Sequence, residues 1–207
     1  MDEAYAYDSL SRVSAYSAIN DRSTIGYTVW KVARFGELAT AALKNSLGRQ
    51  PHGADFLSSG YRPYSVTQFE GNLITNAGWT RLMSLLTATG STQALTATSV
   101  RIGVGNSNTS EDYTDTDLNA SAGSSNRWFQ PVNGAAVLGT RTMQFEATFG
   151  ASDGNFDWNE FGIDVGTPTV SAGSTVNALL FNHAAGIAQG TKANGQTWVA
   201  TATITFS

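Results

Sequence analysis

The chain has 207 residues, with 14% charged, 11% aromatic, a net charge of −4 and no cysteine. That length holds one large β domain, or a smaller domain with an appendage. The negative charge excludes a basic field for phosphates, and the missing cysteine excludes disulfides, zinc thiolates and a cysteine nucleophile.

The first 24 residues are rich in Ala, Ser and Tyr and weakly patterned. Asp8 is placed to cap a short helix carrying Leu10 and Val13. The segment reads either as an arm that orders against another surface or as a disordered tail. Ile25 to Phe35 is strand-like, with Tyr27, Val29 and Lys31 on one face and Thr28, Trp30 and Val32 on the other. Glu37 to Leu47 predicts a helix with Leu38, Ala41 and Ala42 on its apolar face and Gly48 as terminator. Gln50 to Gly60 reads as a loop and Tyr64 to Phe69 as a returning strand, so 25–65 forms a hairpin whose tip is expanded by a helix and a loop.

Thr75 or Asn76 then caps a helix whose apolar stripe is Trp79, Leu82, Met83 and Leu86, ended by Gly90. Ser99 to Val104 is a strand, and a polar loop follows to Asn126. Further strands are predicted at Arg127–Val132, Arg141–Phe149, Asp157–Val165 and Asn177–Asn182. The closing strand alternates Trp198, Ala200, Ala202, Ile204 and Phe206 against Thr197, Thr201, Thr203 and Thr205, with Val199 as the exception. These elements predict a mainly β protein: an antiparallel sandwich or barrel of seven or eight strands, with one packed helix and an extended N-terminal arm. The expected units are the arm 1–24, the strand with inserted helix and loop 25–65, and a β-rich core domain 66–207. Met1-Asp2-Glu3 begins acidic and no apolar run of about 18 residues occurs, so a soluble chain is expected, without membrane contact or Sec-type export.

Chemical equipment is sparse. The histidines are His52, in a predicted loop, and His183, just past a strand; neither accompanies a Gly-x-Ser-x-Gly elbow, and exposed loop histidines are the default. Gly103-Val104-Gly105 follows a strand but lacks the third glycine and the helix of a dinucleotide turn. Asp153, Asn155 and Asp157 alternate as calcium ligands would, yet Trp158 stands where an EF-hand needs glycine, and Asp153-Gly154 reads better as a turn. Glu111, Asp112, Asp115 and Asp117 form an acidic cluster, read as a solvated face or as salt bridges to a neighbouring subunit. Glu160 sits in an apolar strand, either facing solvent or buried against an arginine. Pairing Asp157 with Glu160 as hydrolase carboxylates has no support in the pattern. No catalytic residue, cofactor or metal is expected.

The segments Gly71-Asn72-Leu73-Ile74-Thr75-Asn76-Ala77-Gly78, Arg101-Ile102-Gly103-Val104-Gly105, Thr116-Asp117-Leu118, Phe145-Glu146-Ala147-Thr148-Phe149 and Asn155-Phe156-Asp157-Trp158-Asn159-Glu160-Phe161-Gly162-Ile163 succeed one another. In that order they resemble tailed-bacteriophage virion proteins, over roughly residues 66–207. The resemblance takes in small virion structural proteins and, more loosely, the attachment domain of some tail fibres. It implies a non-enzymatic β domain. No shaft or collagen-like repeat follows the pattern and an extension of about 60 residues precedes it, which resembles a capsid decoration (cement) protein. The implied partners are the major capsid protein and further copies of the chain, as a homodimer or homotrimer, with no direct nucleic-acid contact. The implied location is the phage head surface, after assembly in the host cytoplasm. Tyr5, Tyr7, Tyr16 and Trp30 are the expected contact aromatics, with a core role as the alternative for Trp30. A tail, baseplate or fibre-attachment component is the second reading. A carbohydrate-binding module with a Trp128–Phe129 platform is the third.

Overall fold

The alternation that puts Thr28, Trp30 and Val32 on one side makes Tyr27–Phe35 the first strand, β1, and those three side chains are buried. The computed structural model describes residues 26–206 apart from 72, 91–92, 135, 167–168, 172–173 and 177–178, with backbone alone at 169–171 and 174–176. Tyr5, Tyr7 and Tyr16 lie outside the described residues. After β1 come α1 (Glu37–Leu47), α2 (Gly53–Ser58), β2 (Ser65–Glu70), β3 (Leu73–Ile74), α3 (Asn76–Thr87), β4 (Val100–Gly105) and β5 (Arg127–Pro131). The chain continues through β6 (Val137–Leu138), β7 (Thr142–Phe149), β8 (Glu160–Val165), β9 (Thr169–Ser171), β10 (Ser174–Val176), β11 (Leu179–Ala184) and β12 (Thr197–Thr205).

Two antiparallel five-stranded sheets result. Sheet one has the order β2-β1-β12-β7-β6 and sheet two β3-β11-β8-β4-β5, while β9 and β10 form a separate pair. They pack as a sandwich rather than closing into a barrel. Val132, just past β5, bridges to Ala147 of β7 and links the sheets on one side. Between them lies a single large core that includes Trp30, Ile102, Phe145, Trp158, Phe161, Phe181, Trp198 and Ile204. Trp158 is its hub, with ring centroids 4.6 Å from Phe149, 4.9 Å from Trp198 and 5.8 Å from Phe161. Each buried indole N–H finds an acceptor: Trp30 donates to the Gly71 carbonyl, Trp158 to that of Gly154 and Trp198 to Gln196 Oε1. That pairing lets rings of this size enter an apolar interior without an unsatisfied donor. Trp30 is therefore a core residue, fully buried against Phe161 and Phe69, and not a surface anchor.

β1 pairs with both β2 and β12, so residues 25–65 supply two strands of the sandwich as well as its helical cover. α1 ends at Gly48, whose φ of 66° suits glycine. Its inward residues are Thr40 and Leu43, while Leu38, expected inside, is 89% exposed. Leu43 enters a small cluster with Phe35, Phe56 and Val199, and the Thr40 hydroxyl donates to Thr197 Oγ1 at 3.1 Å. This cluster accounts for Val199: its outward side chain is apolar because α1 and α2 cover it. The expected loop 50–60 contains α2, where Asp55 accepts from the His52 backbone at 2.7 Å and pairs with Arg49.

α3 is capped by Thr75, whose hydroxyl accepts from Gly78 N at 2.9 Å. It ends at Ala88, with φ 52°, two residues before the expected Gly90. Of the expected stripe, Trp79 and Leu82 are half-buried, but Met83 and Leu86 are 49% and 78% exposed. Gly78 dictates this rotation: a Cβ there would fall on the Phe181 carbonyl of β11, so the glycine turns toward the sheet and Arg81 follows it inward. Among the described residues no helix is long and apolar enough to cross a membrane. Replacing Gly78 with alanine is expected to cost about 1–3 kcal/mol of unfolding free energy, the usual range for overpacking. Urea titration reads this, and an unchanged midpoint would refute the close approach of α3 to β11.

Candidate functional site

The outer face of sheet two is built around missing side chains. Gly103 of β4 pairs with Gly162 of β8, and Gly105 stands opposite Glu160. A Cβ at Gly103 would lie 2.5 Å from the Phe129 ring, and one at Gly162 would lie 2.7 Å from Leu180 and 3.0 Å from Leu118. The glycines thus form a trough into which the polar loop 106–126 lowers Leu118, completing a cluster with Phe129 and Leu180. Gly103-Val104-Gly105 is a strand shaped for close packing and not a phosphate-binding turn.

Glu160 lies in the same trough over Gly105 and is fully buried. Its Oε1 accepts from Ala120 N at 2.7 Å, and its Oε2 accepts from Asn119 N at 2.8 Å and lies 2.9 Å from His183 Nε2. His183 is buried too, and its Nδ1 lies 2.7 Å from Asp115 Oδ2. Asp115 Oδ2 also accepts from Asp112 N at 2.8 Å. Neighbouring bonds fasten the rest of the loop. Asp117 pairs with Arg127 at 2.8 Å, and Asn76 N at the start of α3 donates to the Tyr113 carbonyl at 2.7 Å.

An imidazolium between two carboxylates is the favourable state of this trio. Burial by itself pulls the His183 pKa down, but the hydrogen bonds and negative charges of Glu160 and Asp115 more than offset it, and the net displacement is upward. Both ring nitrogens face carboxylates, which leaves neither for a nucleophile's proton or a metal. The arrangement is an ionic staple holding a loop on a sheet. Of the expected acidic cluster, Asp115 and Asp117 find partners within the chain, while Asp112 is exposed and turns on Thr114. Glu160 is buried as one reading required, but its partner is histidine instead of arginine. His183 is neither in a loop nor exposed.

A second polar site gathers Lys192 and the turn 150–155. The Lys192 ammonium is buried and donates to the Gly150 carbonyl and to Asn155 Oδ1, each at 2.7 Å. Burial pulls its pKa down to about 8, against the opposing charge of Asp153. Asp153 accepts from Gly150 N, and Asp157 from the Thr191 hydroxyl. The three oxygens considered as calcium ligands are thus turned to three different protein donors, and Gly154, at φ 61°, forms the turn. Asp157 is exposed while Glu160 is fully buried, and among the described residues they share no hydrogen-bond partner. Arg34 ties the same end together: it lies 4.5 Å from the Trp198 ring centroid, donates to Thr67 Oγ1 at 3.0 Å and to the Gln189 carbonyl at 2.9 Å. His52 is the N-cap of α2. Trp128 is half-buried and Phe129 fully so, and they make no exposed platform.

Sequence reasoning missed the Glu160–His183 contact because of a bulge. Alternation from an outward Leu180 would turn His183 to the core. The register shift between Leu180 and Asn182 inverts this. Asn182 turns in, accepting from Ile163 N at 2.9 Å and donating toward Thr28, and His183 turns out to meet Glu160. Fold and site together define a β-sandwich whose buried ionisable groups anchor loops. Comparison with family models, curated proteins and solved structures found no match to this chain.

Glu160→Ala is expected to cost about 3–5 kcal/mol, the usual penalty for removing one partner of a buried pair, read by urea unfolding near neutral pH. The pH dependence has two opposing arms. The His183 contribution is complete below its ordinary value of about 6.5 and is lost as pH rises through its raised native value. Lys192 acts in the opposite direction: from about 8 up to its unfolded value near 10.4 the unfolded state binds more protons, so stability rises with pH there. Unfolding free energy measured across this range should lose the first arm in His183→Gln and the second in Lys192→Met. Profiles unaltered by either substitution would contradict these assignments.

Proposed function

We propose that this chain is a non-enzymatic virion structural protein of a tailed bacteriophage. Its proposed role is capsid decoration, reinforcing the head through contacts with the major capsid protein and with its own copies. The observation that carries this reading is spatial. Parts of four of the five segments that bear the resemblance to virion proteins, Thr75–Gly78, Arg101–Gly105, Thr116–Leu118 and Glu160–Ile163, meet around the loop 106–126 seated on sheet two, while the fifth, Phe145–Phe149, lies in β7 of sheet one. The reading agrees with the chemistry of the site, where the buried Glu160, His183 and Arg127 hold loop 106–126 to strands of sheet two and Lys192 holds its loop to the turn at Gly150.

In such a role binding free energy replaces catalysis. Apolar area buried between chains contributes on the order of 25 cal/mol per Å² before association costs, and many weak contacts repeated over a shell reinforce one another. Quantitative mass spectrometry of purified virions tests the proposal. Copies on the order of hundreds per particle are expected, the regime in which repetition adds avidity. A count of a few dozen or fewer would move the protein to the tail, and its absence from virions would sink the structural reading.

A further inference from the structure

Lysine is scarce and unevenly placed. Of the three in the sequence, Lys31 and Lys44 are exposed, while Lys192 is 1% exposed. Among the described residues the Lys192 ammonium makes no ion pair. It rests on two neutral oxygens, the Gly150 carbonyl and Asn155 Oδ1, each at 2.7 Å. A buried charge held by neutral acceptors alone is costly, so the site favours a neutral amine. The group beside that amine is the carbonyl of a side-chain amide.

Backbone bonds bring the two residues together. Lys192 N donates to the Phe156 carbonyl at 3.1 Å, Trp158 N donates to that of Gly190 at 3.1 Å, and Asp157 bridges to Thr191 between them. This short ladder sets Lys192 beside Asn155, 37 positions away in sequence. Asn155 is oriented in turn by its Nδ2, which donates to the Ala151 carbonyl at 3.0 Å. With Nζ 2.7 Å from Oδ1, the amide carbon lies at most about 3.9 Å from the amine. A small side-chain rotation closes that to the ~3–3.5 Å at which attack begins, and reactants held so gain a large effective concentration. Asp153, on the same turn, is the carboxylate whose charge reaches Lys192, and its Oδ2 accepts from Gly150 N at 2.9 Å.

We propose that Lys192 and Asn155 join in an intramolecular isopeptide bond once the protein has folded. The neutral Nζ attacks Cγ of Asn155. The Nζ–Cγ bond forms, the Cγ–Nδ2 bond breaks, and Asp153 relays one proton from Nζ to the departing nitrogen, which leaves as ammonia. No oxidant or cofactor enters the balance. The product amide carries no charge, and its remaining N–H keeps a donor for the Gly150 carbonyl. Burial, which pulls the ammonium down to about 8, supplies the neutral nucleophile near neutral pH. The bond fastens the segment before β12 to the turn after β7, a covalent tie in a chain that has no cysteine for a disulfide. The Lys192 titration described above belongs to the chain before the bond forms, and the bond abolishes it. Such a bond forms or fails whether or not the chain belongs to a virion.

Intact-mass spectrometry of the purified full-length protein, held folded at about pH 8, tests this. Loss of one ammonia, about 17 Da, is expected. Digestion should then yield a branched peptide joining the stretch that contains Asn155 to the stretch that contains Lys192. The same chain kept in urea should retain its full mass, because the two residues meet only in the fold. Lys192→Arg and Asn155→Ala should also keep full mass. Asp153→Asn should slow the bond on the order of 100-fold, the usual worth of a positioned acid or base, and an unchanged rate would overturn the proton relay. Full mass and no branched peptide in the folded unsubstituted protein would overturn the proposal, and that readout needs no variant to fold. So would a loss of ammonia that persists in Lys192→Arg, since ring closure of an asparagine onto its own backbone sheds the same mass without an amine.

Discussion

A carboxylate placed wholly out of water sets the terms for one side of this protein. Glu160 requires donors, and it has them in the amides of Asn119 and Ala120 and the ring of His183. Two of the three belong to a loop that makes no strand. Burying the acid therefore fixes where that loop must run, and the loop's position seats Leu118 among Phe129 and Leu180. None of this fits unless Gly103, Gly105 and Gly162 leave the outer face bare. The desolvation cost of an ion pair is offset only when its geometry and remaining hydrogen bonds are good. Here the backbone supplies the additional bonds, and the polar loop and the glycine-lined sheet depend on each other.

The two sheets are covered by different chemistry. Sheet one takes an apolar cover, with Phe35, Leu43 and Phe56 packed over Val199 and the rings of Phe35 and Phe56 stacked at 4.0 Å. Sheet two takes an ionic cover. The second contains a histidine, His183, whose charge matters. At the end of the sandwich Arg34 and Lys192 repeat the theme with cations, drawing the segment 189–192 onto β1, β2 and the turn at Gly150. Charge is scarce in this chain, and much of its buried share, in Glu160, His183, Arg127, Arg34 and Lys192, goes into anchoring irregular backbone, the part that cannot satisfy itself through a ladder.

Much of this architecture was legible in the sequence. Period-two alternation located β1 and β12 because each has one face against a common core, and β2, β4, β5, β7, β8 and β11 also fall where strands were expected. α1 was legible to its last residue because Glu37 and Gly48 mark its ends. The faces of the helices were less legible. In α3 the spacing of Trp79, Met83 and Leu86 points one way, but a backbone carbonyl of β11 admits only Gly78, and close approach outranks side-chain apolarity. In α1 the docking residue is a threonine, which no hydrophobic pattern selects. β3 and β6 have two residues each, too short for any period to show. The polar site was least legible, since one extra residue in β11 exchanges the faces of Asn182 and His183. Spacing along a chain carries no trace of a bulge that leaves Phe181 as the extra residue and turns Asn182 inward to Ile163 N.

The order of strands in sheet one also governs when the fold can form. Its central position belongs to β12, which pairs with β1 on one side and β7 on the other. Until residues 197–205 are available, β1 and β2 remain a hairpin separated from β7, and sheet one exists only as two halves. Sheet two does not wait for those residues, since its last strand, β11, precedes them in the chain, although β4 reaches past β5, β6 and β7 to β8, and β3 waits for β11. Pairing of such long range carries a heavy loop-closure cost and folds slowly. During synthesis, then, sheet two and its loop are able to organise first, while the inner face that will meet β12 waits uncovered. Trp158 and Phe149 spend that interval without Trp198, so the nascent chain is at its most adhesive until residues 197–205 emerge.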